Sequence, residues 1–418
     1  MASVSDYTLA DPQTATCPFG YYRAMREQSP VHRDPKLGMF IVSRYEDIMT
    51  ALRAPHVFSS ALGFAAQSAQ DYTPEIDAYM AREGFGPIPM VLTSDPPAHT
   101  RIRTLVDKAF TAQRVAAMER YIVDLANQFI DRFIDAGKAE IVQDLAIPLP
   151  IYVIADQLGV DRSRIEDFKR WSNASVEPLG RLLTKERAFW CAQQMVELQH
   201  FLKARIDERR AQPRDDMISD LVHANTDNPA DAPLDLGELF SVIRGLLVAG
   251  NETTTTAIGN GVLLLATHPE VVDGIRASSE PDSALHRLTE EILRLEAPVP
   301  GLPRVTLEDT ELGGTRIPKG SHVYLAFASA NRDDRKFENA EAFDPTRRNA
   351  VQHLSFGSGI HRCIGATLAR MEIKCAMREV IRRLGDVRLA VPEERLEYAP
   401  SMVTRSLLSL PITFTKRA

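Results

Sequence analysis

The sequence predicts a mainly helical protein: one large domain over residues 1–418 with a minor strand-rich lobe. Three observations carry that expectation. Long segments keep apolar residues at helical spacing, strand-like runs are few and far apart, and no Gly/Ser- or Pro-rich linker divides the chain. In chain order, "GMFIVSRY" (38–45) reads as a strand. Residues 59–93 carry glycine and proline and read as a long irregular loop of the kind that lines binding sites. Leu105 to Gly137 keeps helical periodicity and stops at a glycine, so one long helix is expected. Residues 188–211 form a second, Asp235 to Pro269 a third that ends at a proline, and 285–298 a shorter fourth. "SHVYLAFAS" (321–329) and "LLSLPITF" (407–414) are the remaining strand signals.

Bulk composition excludes several classes. The chain is 44% hydrophobic and 25% charged, an ordinary globular balance, with room for a core that buries a cofactor. A net charge of −7 argues against a nucleic-acid binder. The first twenty residues lack a basic region followed by an apolar run, and no stretch approaches the ~18 apolar residues of a membrane span. A soluble cytoplasmic protein, bound to neither membrane nor nucleic acid, is expected. The four cysteines, Cys17, Cys191, Cys363 and Cys375, are widely spaced without a CxxC, which argues against a disulfide framework or structural zinc.

Cys363 stands apart. It lies in "HLSFGSGIHRCIGATLAR" (353–370), with glycines at 357, 359 and 365 that let the backbone turn tightly. From Ile364 the pattern is helical, with Ile364, Leu368, Met371 and Cys375 on one apolar stripe. The thiol is therefore placed at a helix N-terminus, where free amides and the helix dipole favour a thiolate. A cysteine held this way suits an iron ligand of haem-thiolate type. A lone cysteine is more often a small buried hydrophobe. That reading suits Cys375 and extends to Cys17 and Cys191, but it leaves "FGSGIHRCIG" unexplained.

Phe356-Gly357-x-Gly359-x-His361-Arg362-Cys363-x-Gly365 resembles the haem-binding signature of the cytochrome P450 monooxygenases in their soluble bacterial form. The resemblance covers nearly the whole chain. It implies the P450 fold, with haem b (iron protoporphyrin IX) between the long helix and the cysteine-loop helix and Cys363 as axial thiolate. Phe356 packs by the sulfur in that scheme, and His361 reaches a haem propionate. "EILRL" supplies Glu291 and Arg294 at i, i+3, by default a solvated surface pair. By resemblance they are a buried structural pair, with Arg347 of "FDPTR" as third partner. "AGNETTTT" (249–256) puts Gly250 and four threonines inside the long helix, where propensity disfavours them. Threonines bonding back to their own helix carbonyls are the bland reading. The functional one is a groove for oxygen beside iron, and here Ala249-Gly250-x-Glu252-Thr253 resembles the family's acid–alcohol pair that relays protons to bound dioxygen. "DPPAHTRIR" sets His99 and Arg103 at i, i+4, either a surface pair or, by resemblance, propionate ligands together with Arg304.

The implied reaction inserts one atom of O2 into an organic substrate, by hydroxylation or O-dealkylation. The implied pocket draws on residues 59–90 and 171–189 and on Leu246, Leu247, Val299, Leu302 and Met402, mostly apolar positions that fit a terpenoid, steroid or aromatic compound. No fused flavin or iron–sulfur segment is visible, so a separate [2Fe–2S] ferredoxin and an NAD(P)H-dependent ferredoxin reductase are the expected electron donors, acting on a monomer. Arg370, Lys374, Arg378 and Arg382 recur every four residues and form a basic stripe that could dock an acidic partner. The alternatives are a peroxide-driven peroxygenase, a non-enzymatic haem sensor or carrier, and a metal site built on His353, His361 and Cys363.

Overall fold

The computed structural model describes residues 3–63, 72–88, 90–180, 183–225, 232–399 and 401–417. The principal helices, in chain order, are α1 (Phe19–Gln28), α2 (Tyr45–Arg53), α3 (Thr73–Glu83), α4 (Ala98–Ala109), α5 (Glu119–Asp131), α6 (Ile165–Gly180), α7 (Lys185–Ala211), α8 (Leu236–Thr267), α9 (Pro281–Leu295) and α10 (Ala366–Arg383). The strands are β1 (Val31–Arg33), β2 (Phe40–Val42), β3 (Phe58–Ser59), β4 (Lys138–Glu140), β5 (Leu302–Thr306), β6 (Thr310–Leu312), β7 (Thr315–Ile317), β8 (His322–Leu325), β9 (Leu384–Leu389) and β10 (Pro411–Lys416). The chain divides into two compact units. Residues 1–58, 115–150 and 253–418 form the first; 59–114 and 151–252 form the second.

The first unit holds the sheets. The order β1-β2-β8-β5-β3 makes one, β4-β10-β9 a second, and β6-β7 a hairpin. Strand β2 runs parallel to β8, with Phe40 opposite Val323, whereas β1–β2 and β5–β8 are antiparallel. Each expected strand segment contains a real strand. The inward residues Val42, Val323 and Leu325 join Ile48, Phe337 and Leu354 in one apolar cluster. Helix α10 packs against α5 and α9, burying Leu368, Ile373, Cys375, Ala376 and Val380.

In the second unit α7 packs against α6 and α3. Phe168, Trp171 and Phe201 meet there with ring centroids 5.2–5.7 Å apart, a separation at which aromatic rings attract edge to face.

Two expectations fail on length. The single helix over 105–137 is broken into α4, a short helix Ala112–Ala117, α5 and a 3-10 turn Ile134–Ala136. Phe110 ends α4 in a non-helical conformation, φ −109° and ψ 63°. Apolar periodicity persists across breaks this short, so the pattern cannot reveal them. Gly137 does end the segment, at φ 65° in the left-handed region glycine favours. The loop over 59–93 contains α3, started by Pro74 and burying only Met80, too faint an apolar stripe to read. The other helices fall where expected, at Lys185–Ala211, Leu236–Thr267 and Pro281–Leu295.

The core of the first unit is organised by a charged cluster. Arg294 and Glu291 are both 0% exposed. Arg294 Nε and Nη2 bond the two Glu291 oxygens at 2.7 Å each, and its remaining donors reach the carbonyls of Asn331, Ala340 and Ala342. All five guanidinium hydrogens are used. Arg347 Nε lies 3.3 Å from Glu291 Oε1 as third partner, and the Asp344 amide bonds the same oxygen. Only a rigid planar fork satisfies acceptors on so many sides. Arg294→Met, which strands Glu291, is expected to cost about 3–5 kcal/mol. Denaturant unfolding followed by circular dichroism measures this, and the Glu291→Met/Arg294→Met double variant should recover part of the loss.

Candidate functional site

The glycine loop shapes the surroundings of Cys363. Gly357 and Gly359 have φ of 62° and 68°, and the Cys363 amide donates to the Phe356 carbonyl at 2.9 Å, closing the loop. A Cβ on Gly359 would fall 2.4 Å from the Leu52 carbonyl oxygen, so this turn is fitted tightly against the end of α2. Gly365 differs from the expectation. Its φ is −80°, which any residue adopts, and a Cβ there would stand 4.0 Å from the Cys363 sulfur. Gly365 is the N-cap of α10, which therefore starts at Ala366, two residues later than expected, and has no acid in its first turn. The sulfur precedes an eighteen-residue helix whose free amides favour negative charge.

Behind the loop lies a network that the sequence did not reveal. The Phe356 ring is flanked by the His353 ring at 5.6 Å and the Arg370 guanidinium at 4.4 Å. Both flanking groups hold Glu290. Arg370 bonds its two oxygens at 2.6 and 3.0 Å, and His353 Nε2 lies 3.3 Å from Oε2. Because His353 Nδ1 accepts from the Ser355 amide, Nε2 is the nitrogen that carries the proton. Burial works to raise the Glu290 pKa, but the bonds from His353 and Arg370 outweigh it and bring it down to about 2. The signal was present as a second glutamate beside Glu291, masked by the reading of Arg370 as surface charge. His353 is thus committed to Glu290 and Phe356, and among the described residues no three His, Cys, Asp or Glu side chains cluster to hold a metal ion.

The basic stripe is corrected on the same grounds. Arg370 pairs with Glu290, Lys374 with Asp282 at 3.1 Å, Arg378 with Glu119 at 3.1 Å and Arg382 with Glu379 at 2.7 Å. Its charges are matched by acids of α5, α9 and α10 and do not make a free basic surface.

Helix α8 carries the threonine motif without a break. Two of its four hydroxyls reach other elements. Thr255 Oγ1 donates to the Ala146 carbonyl at 3.0 Å, and Thr256 Oγ1 meets Ser406 Oγ at 2.6 Å. Bonding to neighbouring elements spares the helical ladder. Burial along α8 lapses at Ala249, Glu252 and Thr253 and resumes from Thr254. Ala249 and Thr253, four apart, share a helix face, so a small side chain and a hydroxyl stand on one accessible stripe.

Other expected residues are placed as follows. Arg304 is buried in β5 and gives Nη1 to the Pro303 carbonyl at 2.7 Å. In the second unit His99 is buried on α4, with its pKa lowered by burial first and by the charge of Arg103 second. Arg103 Nε bonds Asp107 at 2.9 Å. Val299, Leu302 and Met402 of the first unit remain partly accessible amid buried neighbours. Leu246 and Leu247 of the second are buried. Cys375 and Cys191 are core thiols, pushed up to about 12 and about 11 chiefly by burial. Cys17 is exposed, contrary to expectation, because it caps the short helix Pro12–Thr16 and has no core face. Among the described residues no helix is long and apolar enough to cross a membrane.

Comparison with known proteins gives the family. The profile of the family described as Cytochrome P450 matches residues 161–393. The chain is 36% identical to cytochrome P450 107B1 of Saccharopolyspora erythraea, over 98% of each chain. It is 35% identical to the steroid C26-monooxygenase of Mycobacterium tuberculosis, over 94% of this chain and 93% of that one. Among solved structures it is similar to cytochrome P450 CYP109Q5 from Chondromyces apiculatus, with a TM-score of 0.85 and 34% identity over 99% of each chain. This chain belongs to the cytochrome P450 family, and it is a haem-thiolate monooxygenase with the P450 fold.

Two outcomes follow from the loop and the thiols. Gly314 has φ 75° and open space around it, so Gly314→Ala pays only the left-handed backbone cost, about 1–2 kcal/mol. Gly359→Ala pays that cost and must also displace the Leu52 carbonyl, so its thermal midpoint should fall clearly further, with less haem retained per mole of protein. Iodoacetamide at pH 8 should alkylate Cys17 on the native protein and spare Cys191 and Cys375 until denaturation, as read by peptide mass spectrometry.

Proposed function

We propose that Cys363 is the axial thiolate of haem b and that the enzyme inserts one atom of O2 into a small, largely hydrophobic organic compound, by hydroxylation or O-dealkylation. The observation that carries this reading is the thiol itself. It lies partly accessible in a loop closed by two left-handed glycines, directly ahead of a helix with an acid-free first turn. Bound haem supplies the activation of dioxygen and the electron push of its thiolate.

The chain's own groups bind, orient and move protons. By the resemblance, Arg304 and His361 of the first unit would hold cofactor carboxylates, and so would His99 and Arg103 of the second; Phe356, Gly357, Gly365 and Ala249 would line the cofactor. The fit is chemically apt: cationic forks and imidazoles for carboxylates, small or apolar side chains for a flat ring. Thr253 Oγ1 donates a proton at the oxygen site, and the Glu252 carboxyl replenishes it. The resemblance implies an acid at this position, and Glu252 supplies it.

Val299, Leu302 and Met402 support an apolar pocket wall in the first unit. The name of the steroid C26-monooxygenase supports bulky apolar compounds, and a terpenoid, steroid or aromatic body is the class we favour. Electrons come from a separate [2Fe–2S] ferredoxin and its NAD(P)H-dependent reductase, in a cytoplasmic monomer. Glu252 and Thr253 favour this dioxygen route over a peroxide-driven one, which has less need of a proton relay.

The reduced protein under carbon monoxide should show the strongly red-shifted Soret band of a thiolate ligand, and Cys363→His should abolish it. Thr253→Ala should leave that band intact and divert turnover, so that hydrogen peroxide accounts for most of the NAD(P)H consumed. Unchanged coupling in Thr253→Ala would remove the threonine from the relay.

A further inference from the structure

Glu290 and Arg370 form an ion pair whose presence stability does not explain. The Glu290 side chain is 3% exposed and that of Arg370 20%, so the acid is desolvated. A buried pair of this kind is often no more stabilising than apolar side chains of the same volume. Arg294, on the same helix as Glu290, answers to structure, because it holds the carbonyls of Asn331, Ala340 and Ala342. Among the described residues Arg370 holds no carbonyl. Its two hydrogen bonds, at 2.6 and 3.0 Å, both go to Glu290, and its guanidinium lies over the Phe356 ring, 4.4 Å from the centroid.

What the pair fixes is charge behind the cysteine loop. The Phe356 carbonyl accepts the Cys363 amide at 2.9 Å, so the ring under Arg370 and the thiol belong to one closed turn. Glu290 is ionised: burial works against this, but the bonds from His353 and Arg370 bring its pKa down to about 2. Burial lowers the His353 pKa, which leaves the imidazole neutral at neutral pH. The cluster therefore sets one cation against the loop and one anion behind it on α9, with no net charge. Charge near a metal-bound thiolate changes how much electron density the sulfur gives up, and hence the potential of the metal. A cation left alone would hold density on the sulfur and favour the reduced metal. An anion left alone would do the opposite.

We propose that Glu290 and Arg370 are positioning residues whose balanced charges set the electron-donating strength of the Cys363 thiolate, and with it the reduction potential of the bound haem. The inference rests on the reading of Cys363 as axial ligand and deepens it: the backing of the loop is electrostatic as well as steric. Neither residue touches the reacting atoms. Each acts through the Phe356 turn, and the balance between them matters more than either charge.

The test is a spectroelectrochemical titration of the substrate-free holoenzyme, at pH 8.5 to keep His353 neutral. Glu290→Gln should raise the haem potential and Arg370→Gln should lower it. The Glu290→Gln/Arg370→Gln double variant, with no net charge, should return close to the wild type. Each single shift should be about threefold or more in the reduction equilibrium, the scale of a unit charge about 10–15 Å away through an effective dielectric of about 20. Arg370→Lys keeps the charge without the fork and should stay nearer the wild type than Arg370→Gln. Shifts of the same sign in both single variants, or a double variant displaced as far as either, mark a purely steric backing and overturn the proposal. Should Arg370→Gln not fold, Glu290→Gln decides alone, because glutamine keeps the shape of the acid and an acceptor for the arginine; an unchanged or lowered potential there overturns the proposal. The reduced carbon monoxide spectrum separates the two readings. A thiolate band with unshifted potentials defeats this inference alone, whereas absence of that band in the wild type defeats the reading of Cys363.

Discussion

The first unit depends on the matching of one buried carboxylate. Glu291 is fully enclosed, and an enclosed carboxylate is tolerable only when its oxygens are bonded. Arg294 meets that need and uses its other hydrogens to pin the 331–342 segment by three carbonyls. Arg347 and the Asp344 amide bring in the next stretch of chain. Glu290, one residue earlier on α9, does the same for the cysteine loop through His353 and Arg370. Two adjacent acids on one helix therefore hold two consecutive irregular segments, which have no ladder of their own to fix them.

Irregular structure of this kind is what the thiol requires. A cysteine in a regular helix faces its neighbours, as Cys375 does, and becomes an inert core thiol. Presenting Cys363 instead takes a loop, and a loop holds its shape only if its turns and its backing are both specified. The left-handed glycines specify the turns. The stack of His353, Phe356 and Arg370 specifies the backing.

Legibility followed the range of each interaction. The cysteine loop, the Glu291–Arg294 spacing and the strand segments were readable because each is encoded in a few adjacent residues. The boundaries of α4 and α5 were not, because Phe110 leaves the helix without a glycine or proline to announce it. The role of Arg370 was hidden because its partner is 80 positions away, and a basic residue every fourth position looks the same whether its charge meets water or a glutamate.

The parallel pairing of β2 with β8 has a consequence for biosynthesis. Tyr45, just after β2, bonds the carbonyl of Gln352, 307 residues downstream, and Gly359 seats on Leu52. At ribosomal rates of 5–20 residues per second, roughly 15–60 s pass between the emergence of the two ends. For that interval the β1–β2 ribbon offers the β8 side of β2 as an open edge, and α2 lacks the surface that will cover it. The open edge closes when β8 is made, and α2 gains its cover only when the stretch from Gln352 to Gly359 follows.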